Sequence, residues 1–231
     1  MREEKLLAEF RKNAEISAPF IELRFGRDKV EKILDDSLEI FRELIPRIPS
    51  CKGAGPLNLF IRITAQELAI YKAMKPMGYG PSEAWEVCHA TLVQRTKNFP
   101  RWAKTLLRLY MFSPIAKFRI SRKIGDGKDL GGSRVSYVKH GSSWGVDYTK
   151  CAMNEFVRSE GAPEFAPYPC LSDIALSDAM GWGLERTETL AEGCNRCDFR
   201  FVKNQPTRIS SKNPEIQKAI NTSIKYSREN S

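Results

Sequence analysis

The chain has 231 residues, 42% of them apolar, 28% charged and 10% aromatic, which excludes a disordered, collagenous or small disulfide-scaffold protein and leaves ample material for a core. No stretch approaches the roughly 18 apolar residues of a membrane span, and the opening Met1-Arg-Glu-Glu-Lys-Leu-Leu lacks the apolar run of a signal peptide, so a cytoplasmic location with six reduced cysteines is expected. The net charge of +9 is local: residues 87–125 hold nine Lys and Arg and no Asp or Glu, and the rest of the chain balances.

The first half reads helical. Val30, Ile33, Leu34, Leu38, Phe41, Leu44 and Ile45 recur at three-to-four spacing and predict a helix from about Asp28 that Pro46 and Pro49 close. Thr64-Ala-Gln-Glu67 has the form of a capping box, in which the Thr oxygen and the Glu carboxylate satisfy free N–H groups, and predicts a helix from there to about Met74. Ser82 reads as the N-cap of a third helix carrying Cys88 and His89, and a fourth spans residues 100–112. Beyond the Gly-rich turn at 125–132 the period shortens. Val135 and Tyr137, then Trp144, Val146 and Tyr148, predict a hairpin turning at His140-Gly141. Thr149 is expected to cap a helix through Glu160, and another starts near Pro169-Cys170 and stops at Met180-Gly181. Residues 184–191 and 197–202 read as two strands. From Lys203 the chain is polar and reads as a covering arm with a short helix near 214–226, or as partly disordered. The prediction is an α+β fold, with a helical half followed by a small antiparallel sheet with two helices. It divides into a helical region at 1–125, an α+β region with the cysteine motifs at 126–203, and a polar arm at 204–231.

The cysteines carry the chemistry. Cys151 falls in the turn after Thr149 and Cys170 at the start of the next helix, where free N–H groups and partial positive charge favour a thiolate. Asp173 and Ser177 follow Cys170 at helical spacing and share its face. A carboxylate beside a thiol raises its pKa, so Asp173 reads as a proton-transfer or substrate-orienting group. Alternation on the last strand puts Cys197, Phe199 and Phe201 on one face and Asp198 and Arg200 on the other. Burial alone also explains a free cysteine, and Cys51 and Cys88 are read that way. Cys194-Asn-Arg-Cys197 is a C-x-x-C without a second such pair, so no metal site is assigned. His89 reads as a satisfied helix residue and His140 as a solvated turn residue. No nucleophile elbow, P-loop, zincin or dinucleotide fingerprint occurs, and no cofactor is expected.

Four fragments occur in order: Gly145-Val-Asp-Tyr-Thr-Lys-Cys151, Tyr168-Pro-Cys-Leu-Ser-Asp173, Leu184-Glu-Arg-Thr-Glu-Thr-Leu-Ala-Glu-Gly193 and Cys197-Asp-Phe-Arg-Phe201. Together they resemble the L-2-amino-thiazoline-4-carboxylic acid hydrolase family over roughly residues 144–202. The resemblance implies hydrolysis of a small cyclic amidine-like C=N bond, opening a thiazoline ring to an N-carbamoyl-cysteine-type product. Under it, Cys170 is the expected nucleophile and Asp173 the proton donor or acceptor. Arg186 and Arg200 are the expected holders of the carboxylate of a small anionic substrate, with a surface ion pair as the alternative for each. Cys151 and Cys197 are expected to line the same pocket.

The basic segment supports a rival reading. In residues 99–112, Arg101, Lys104 and Arg108 share one helical face while Trp102, Leu106, Leu109 and Tyr110 lie largely off it. That pattern suits a non-catalytic small-molecule-binding or membrane-surface regulatory protein. A packed core helix with a solvated basic face explains it as well and is preferred, so membrane-surface contact is not favoured. Nucleic acid is not an expected partner, because the patch lacks a reading motif.

Overall fold

Apolar residues at helical spacing build the first half, described in a computed structural model over residues 2–51, 55–141 and 143–230 of the chain. Helix α1 (Arg2–Phe25) buries Leu6, Phe10, Ser17, Ile21 and Phe25 along one stripe, and α2 (Val30–Leu44) buries Ile33, Ser37, Phe41 and Leu44. Helix α2 lies on α3 (Gly55–Met74), and α1 lies on α2 and on α4 (Pro81–Lys97). Helix α3 is buried on nearly every side from Ile63 to Met74, enclosing Thr64, Gln66 and Glu67 with its apolar residues.

Two expected helix starts are corrected. Because α3 begins at Gly55, Thr64 and Glu67 lie buried in its middle and cap nothing. Gly80, not Ser82, is the N-cap of α4, and its N–H donates to Glu83 Oε2 at 2.7 Å. Helix α5 (Arg101–Met111) forms as expected but is not a packed core helix: none of its residues is buried. An unexpected helix α6 (Pro114–Ile124) follows, with Pro114 in its first turn and the Ser113 hydroxyl accepting from the Ala116 N–H.

Strands β1 (Asp126–Asp129), β2 (Arg134–His140), β3 (Ser143–Lys150), β4 (Leu184–Arg186), β5 (Cys197–Phe201) and β6 (Arg208–Ile209) form one sheet in the order β1-β2-β3-β5-β4-β6. Every pairing is antiparallel except β4 with β6, and β1 arises within the stretch read as a turn. Strands β3 and β5 approach so closely at Gly145 that an added Cβ would sit 2.1 Å from the Phe199 carbonyl oxygen. The strand expected over 184–191 stops at Arg186. There the Asp198 carboxylate takes the N–H groups of Thr187 and Glu188, and Thr189 caps a 3-10 turn at Leu190–Glu192.

Helix α7 (Ala152–Ser159) has Cys151, not Thr149, as its N-cap. Helix α8 (Ser172–Met180) follows a 3-10 turn at Pro169–Leu171 and ends on Gly181, whose φ of +66 is the left-handed conformation that favours glycine. The polar C-terminal segment forms α9 (Pro214–Asn230), which packs on α8 and α4 and buries Ile216, Ala219 and Ile220. The main core joins residues from Leu6 to Ile220, and a second cluster lies between the start of α3, α6 and the sheet. No helix among the described residues is long and apolar enough to cross a membrane.

Candidate functional site

The register of β3 and β5 sorts side chains onto two faces. Tyr148 pairs with Cys197, Val146 with Phe199 and Trp144 with Phe201 on the inner face; Asp147 pairs with Asp198 and Gly145 with Arg200 on the outer. Between the inner face, the first turns of α3, helix α7 and the 169–173 turn lies a cavity of about 250 Å³. Cys151, Cys170, Cys197 and Asp173 all line it, together with Ser172, Asn154, Thr64, Tyr148, Trp182 and a largely apolar remainder. The three thiols that sequence placed in separate elements therefore open onto one space. Among the described residues no Lys or Arg lines it, and no group of three His, Cys, Asp or Glu is arranged to hold a metal.

Asp173 sits in the first turn of α8 and meets Arg186 of β4 at 2.5 Å through Nη1, which also donates to the Cys170 carbonyl oxygen at 2.8 Å. The Arg186 side chain is only 2% exposed, and its guanidinium stacks 5.4 Å from the Phe199 ring. It stands behind the cavity wall and ties the Cys170 turn to the Asp173 carboxylate, so it meets the cavity only through them. Burial pushes Asp173 up to about 6 although the Arg186 charge pulls the other way. At neutral pH the carboxylate is ionised and close to its titration range.

Burial overturns the expected thiolates. Cys170 is pushed well up by desolvation despite Arg186, Cys197 is pushed up to about 12, and Cys151 is raised even though the Met153 and Asn154 N–H groups favour its charged form. A helix N-terminus contributes roughly half a unit charge, too little to offset removal of a thiolate from water. Cys170, moreover, lies in a three-residue 3-10 turn rather than at an α-helix start. All three are thiols at neutral pH. The Leu190 N–H donates to Cys197 Sγ at 3.2 Å, while the Cys170 Sγ lies 3.8 Å from the Ala166 carbonyl oxygen.

Other expected residues lie elsewhere. Arg200 points to the outer face and pairs with Asp147 at 2.7 Å, so it does not reach the cavity; the strand alternation already implied this. Ser177 shares the helix but is turned to the β4–β6 junction, accepting from the Leu184 N–H and the Thr207 hydroxyl. Cys194 is not among the lining residues, so the C-x-x-C does not act as a pair there. His89 is buried, bonded through Nε2 to the Ser223 carbonyl and near the Ser227 hydroxyl, and pushed down to about 4 by burial, as a neutral structural residue should be.

Sequence reasoning missed Glu67 and Ser172. Ser172 lines the cavity and donates to Glu67 Oε1 at 3.0 Å, while among the described residues Glu67 Oε2 has no partner, and burial pushes this carboxyl up to about 7. The available signal was a lone carboxylate inside the apolar run Ile63-Thr-Ala-Gln-Glu-Leu-Ala-Ile-Tyr71.

A model of the L-2-amino-thiazoline-4-carboxylic acid hydrolase family matches residues 59–201, which include all of the cavity's thiols, Asp173, Ser172 and Glu67. No curated protein and no solved structure matches the chain.

Proposed function

The chain belongs to the L-2-amino-thiazoline-4-carboxylic acid hydrolase family, and on that premise we propose that it hydrolyses a small anionic cyclic amidine of the 2-amino-thiazoline-4-carboxylate type, giving an N-carbamoyl-cysteine-type product. The observation that carries this reading is the meeting of Cys151, Cys170, Cys197 and Asp173 on one small cavity. In the proposed reaction the Cys170 sulfur attacks the ring carbon between nitrogen and sulfur while Asp173 takes the thiol proton. The ring C–S bond breaks and Asp173 returns that proton to the departing sulfur. Water then adds to the same carbon and displaces Cys170 as a thiol, so the net change is one water added and one C–S bond broken.

The electrostatics suit this division of labour. A thiol held neutral by burial needs a nearby acceptor as it attacks, and Asp173, pushed up only to about 6, is ionised at pH 7. Arg186 acts as a positioning residue for both. Cys151 and Cys197 shape the apolar wall around the ring.

A second reading, binding of an uncharged small molecule without turnover, is favoured by one observation: among the described residues no Lys or Arg lines the cavity to receive a substrate carboxylate. Incubating the purified protein with L-2-amino-thiazoline-4-carboxylate and following release of the product thiol separates the two. Turnover by the parent protein that falls about a hundredfold or more in Cys170→Ala, with melting unchanged, is the expected result. Full turnover in Cys170→Ala removes the nucleophile role, and no turnover in the parent protein removes this substrate in favour of the binding reading.

A further inference from the structure

In a helix packed on a core the apolar stripe faces inward, and α5 does the reverse. Trp102, Leu106, Leu109 and Tyr110 span an arc of one face and are 48–69% exposed, while the Arg108 stem on another face lies close against Gly181 at the end of α8. The helix is held at its C-terminal end, where Met111 and Phe112 join the second core cluster and the Met111 carbonyl oxygen accepts from Trp144 Nε1 at 3.1 Å. Helix α6 continues the surface. It turns Ala116 and Ile124 inward and leaves Ile115 and Phe118 more than 60% exposed, with the Arg122 guanidinium 5.8 Å from the Phe118 ring.

The charge on this surface has one sign. Residues 87–125 contain no Asp or Glu, and among the described residues Arg101, Lys104, Arg108, Arg119, Arg122 and Lys123 appear in no ion pair. Aromatic and aliphatic side chains standing out between unpaired cations match an anionic bilayer surface: rings and Leu side chains enter the acyl boundary while Lys and Arg reach the headgroups. A second copy of the chain suits it less, because a two-fold contact would set the same acid-free surface against itself.

We propose that α5 and α6 form a docking surface for an anionic lipid bilayer, independent of the reaction in the cavity. The full chain is mixed with vesicles of phosphatidylcholine alone or with phosphatidylserine added, and binding is followed by flotation and by fluorescence of Trp102, which stands well out of the fold. Expected are binding to the phosphatidylserine vesicles only, a blue shift of the emission, and an affinity that falls about tenfold or more on raising the salt. Arg101→Gln with Arg119→Gln and Arg122→Gln is expected to abolish the lipid preference. Leu106→Ser with Leu109→Ser is expected to abolish the blue shift; these residues are exposed, so both variants should melt like the parent. No binding at low salt, or binding unchanged in both variants, overturns the proposal. A self-association without lipid that Leu106→Ser with Leu109→Ser dissolves also overturns it, in favour of a second copy.

Discussion

Arg200 with Asp147 on the outer face of the sheet and Arg186 with Asp173 behind the inner face are arginine–carboxylate pairs of opposite character. On the outer face Arg200 shares Asp147 with Arg196, and the Arg196 end is about half exposed. Behind the inner face Arg186 is wrapped by Phe199, the Cys170 turn and α8, and among the described residues no second cation pairs with Asp173. In the outer pair a spare cation stands by: if Arg200 is lost, the half-exposed Arg196 still holds Asp147, so no carboxylate is left unpaired. In the inner pair desolvation dominates, which leaves a carboxylate near 6 facing a cavity. Residue type alone does not set an arginine's surroundings; the burial of its carboxylate partner and the cations around it do.

The sharpest way to break that contrast is Asp173→Asn, which keeps shape and removes the proton acceptor. Turnover is expected to fall by about 10²- to 10⁴-fold, and in the parent protein the rate should rise with pH through about 6 as Asp173 ionises. A rate that is flat across this range would separate Asp173 from proton transfer. Arg186→Met comes next: removing one partner of a buried pair costs about 3–5 kcal/mol in urea unfolding. The midpoint of any remaining pH–rate profile should move upward, because Asp173 loses the charge that holds it down.

Beneath the cavity, Glu67 gives a stability signature with a definite sign. Its carboxyl is pushed up from 4.5 to about 7, so between these values the folded chain keeps a proton that the unfolded chain has released. The stability this gives is complete below about 4.5 and is lost as pH rises through about 7. Glu67→Gln should remove about 3 kcal/mol of that decline, measured by urea unfolding at pH 4.5 and pH 8. The smallest effect belongs to the outer face. Arg200→Gln leaves Arg196 on Asp147, and turnover within about twofold and stability within about 1 kcal/mol of the parent protein are expected. A large loss of turnover there would erase the difference between the faces.

Much of the site was readable because its signals are local. The alternation along Cys197-Asp-Phe-Arg-Phe201 puts Cys197 inward and Arg200 outward, and the structure agrees. The stop at Gly181 and the hairpin turn after His140 follow from the positive φ of Gly181 and Gly141, which few residues but glycine allow. The capping-box reading of Thr64 failed because the same four residues serve a buried mid-helix position, where Glu67 meets Ser172 more than a hundred residues away. The strand at 184–191 failed because Asp198, from the neighbouring strand, takes two of its N–H groups.

By itself the sequence determined the α+β class, the order of the motifs, the family and the one-signed charge of residues 87–125, since each is carried by residues near one another in the chain. Only the tertiary structure decided which thiols share a cavity, that Arg186 serves Asp173 while Arg200 serves Asp147, and that α5 turns its apolar face outward. The physical reason is desolvation. Whether a thiol ionises, a carboxylate holds a proton or an apolar face is covered depends on how much water its neighbours exclude, and those neighbours come from distant parts of the chain.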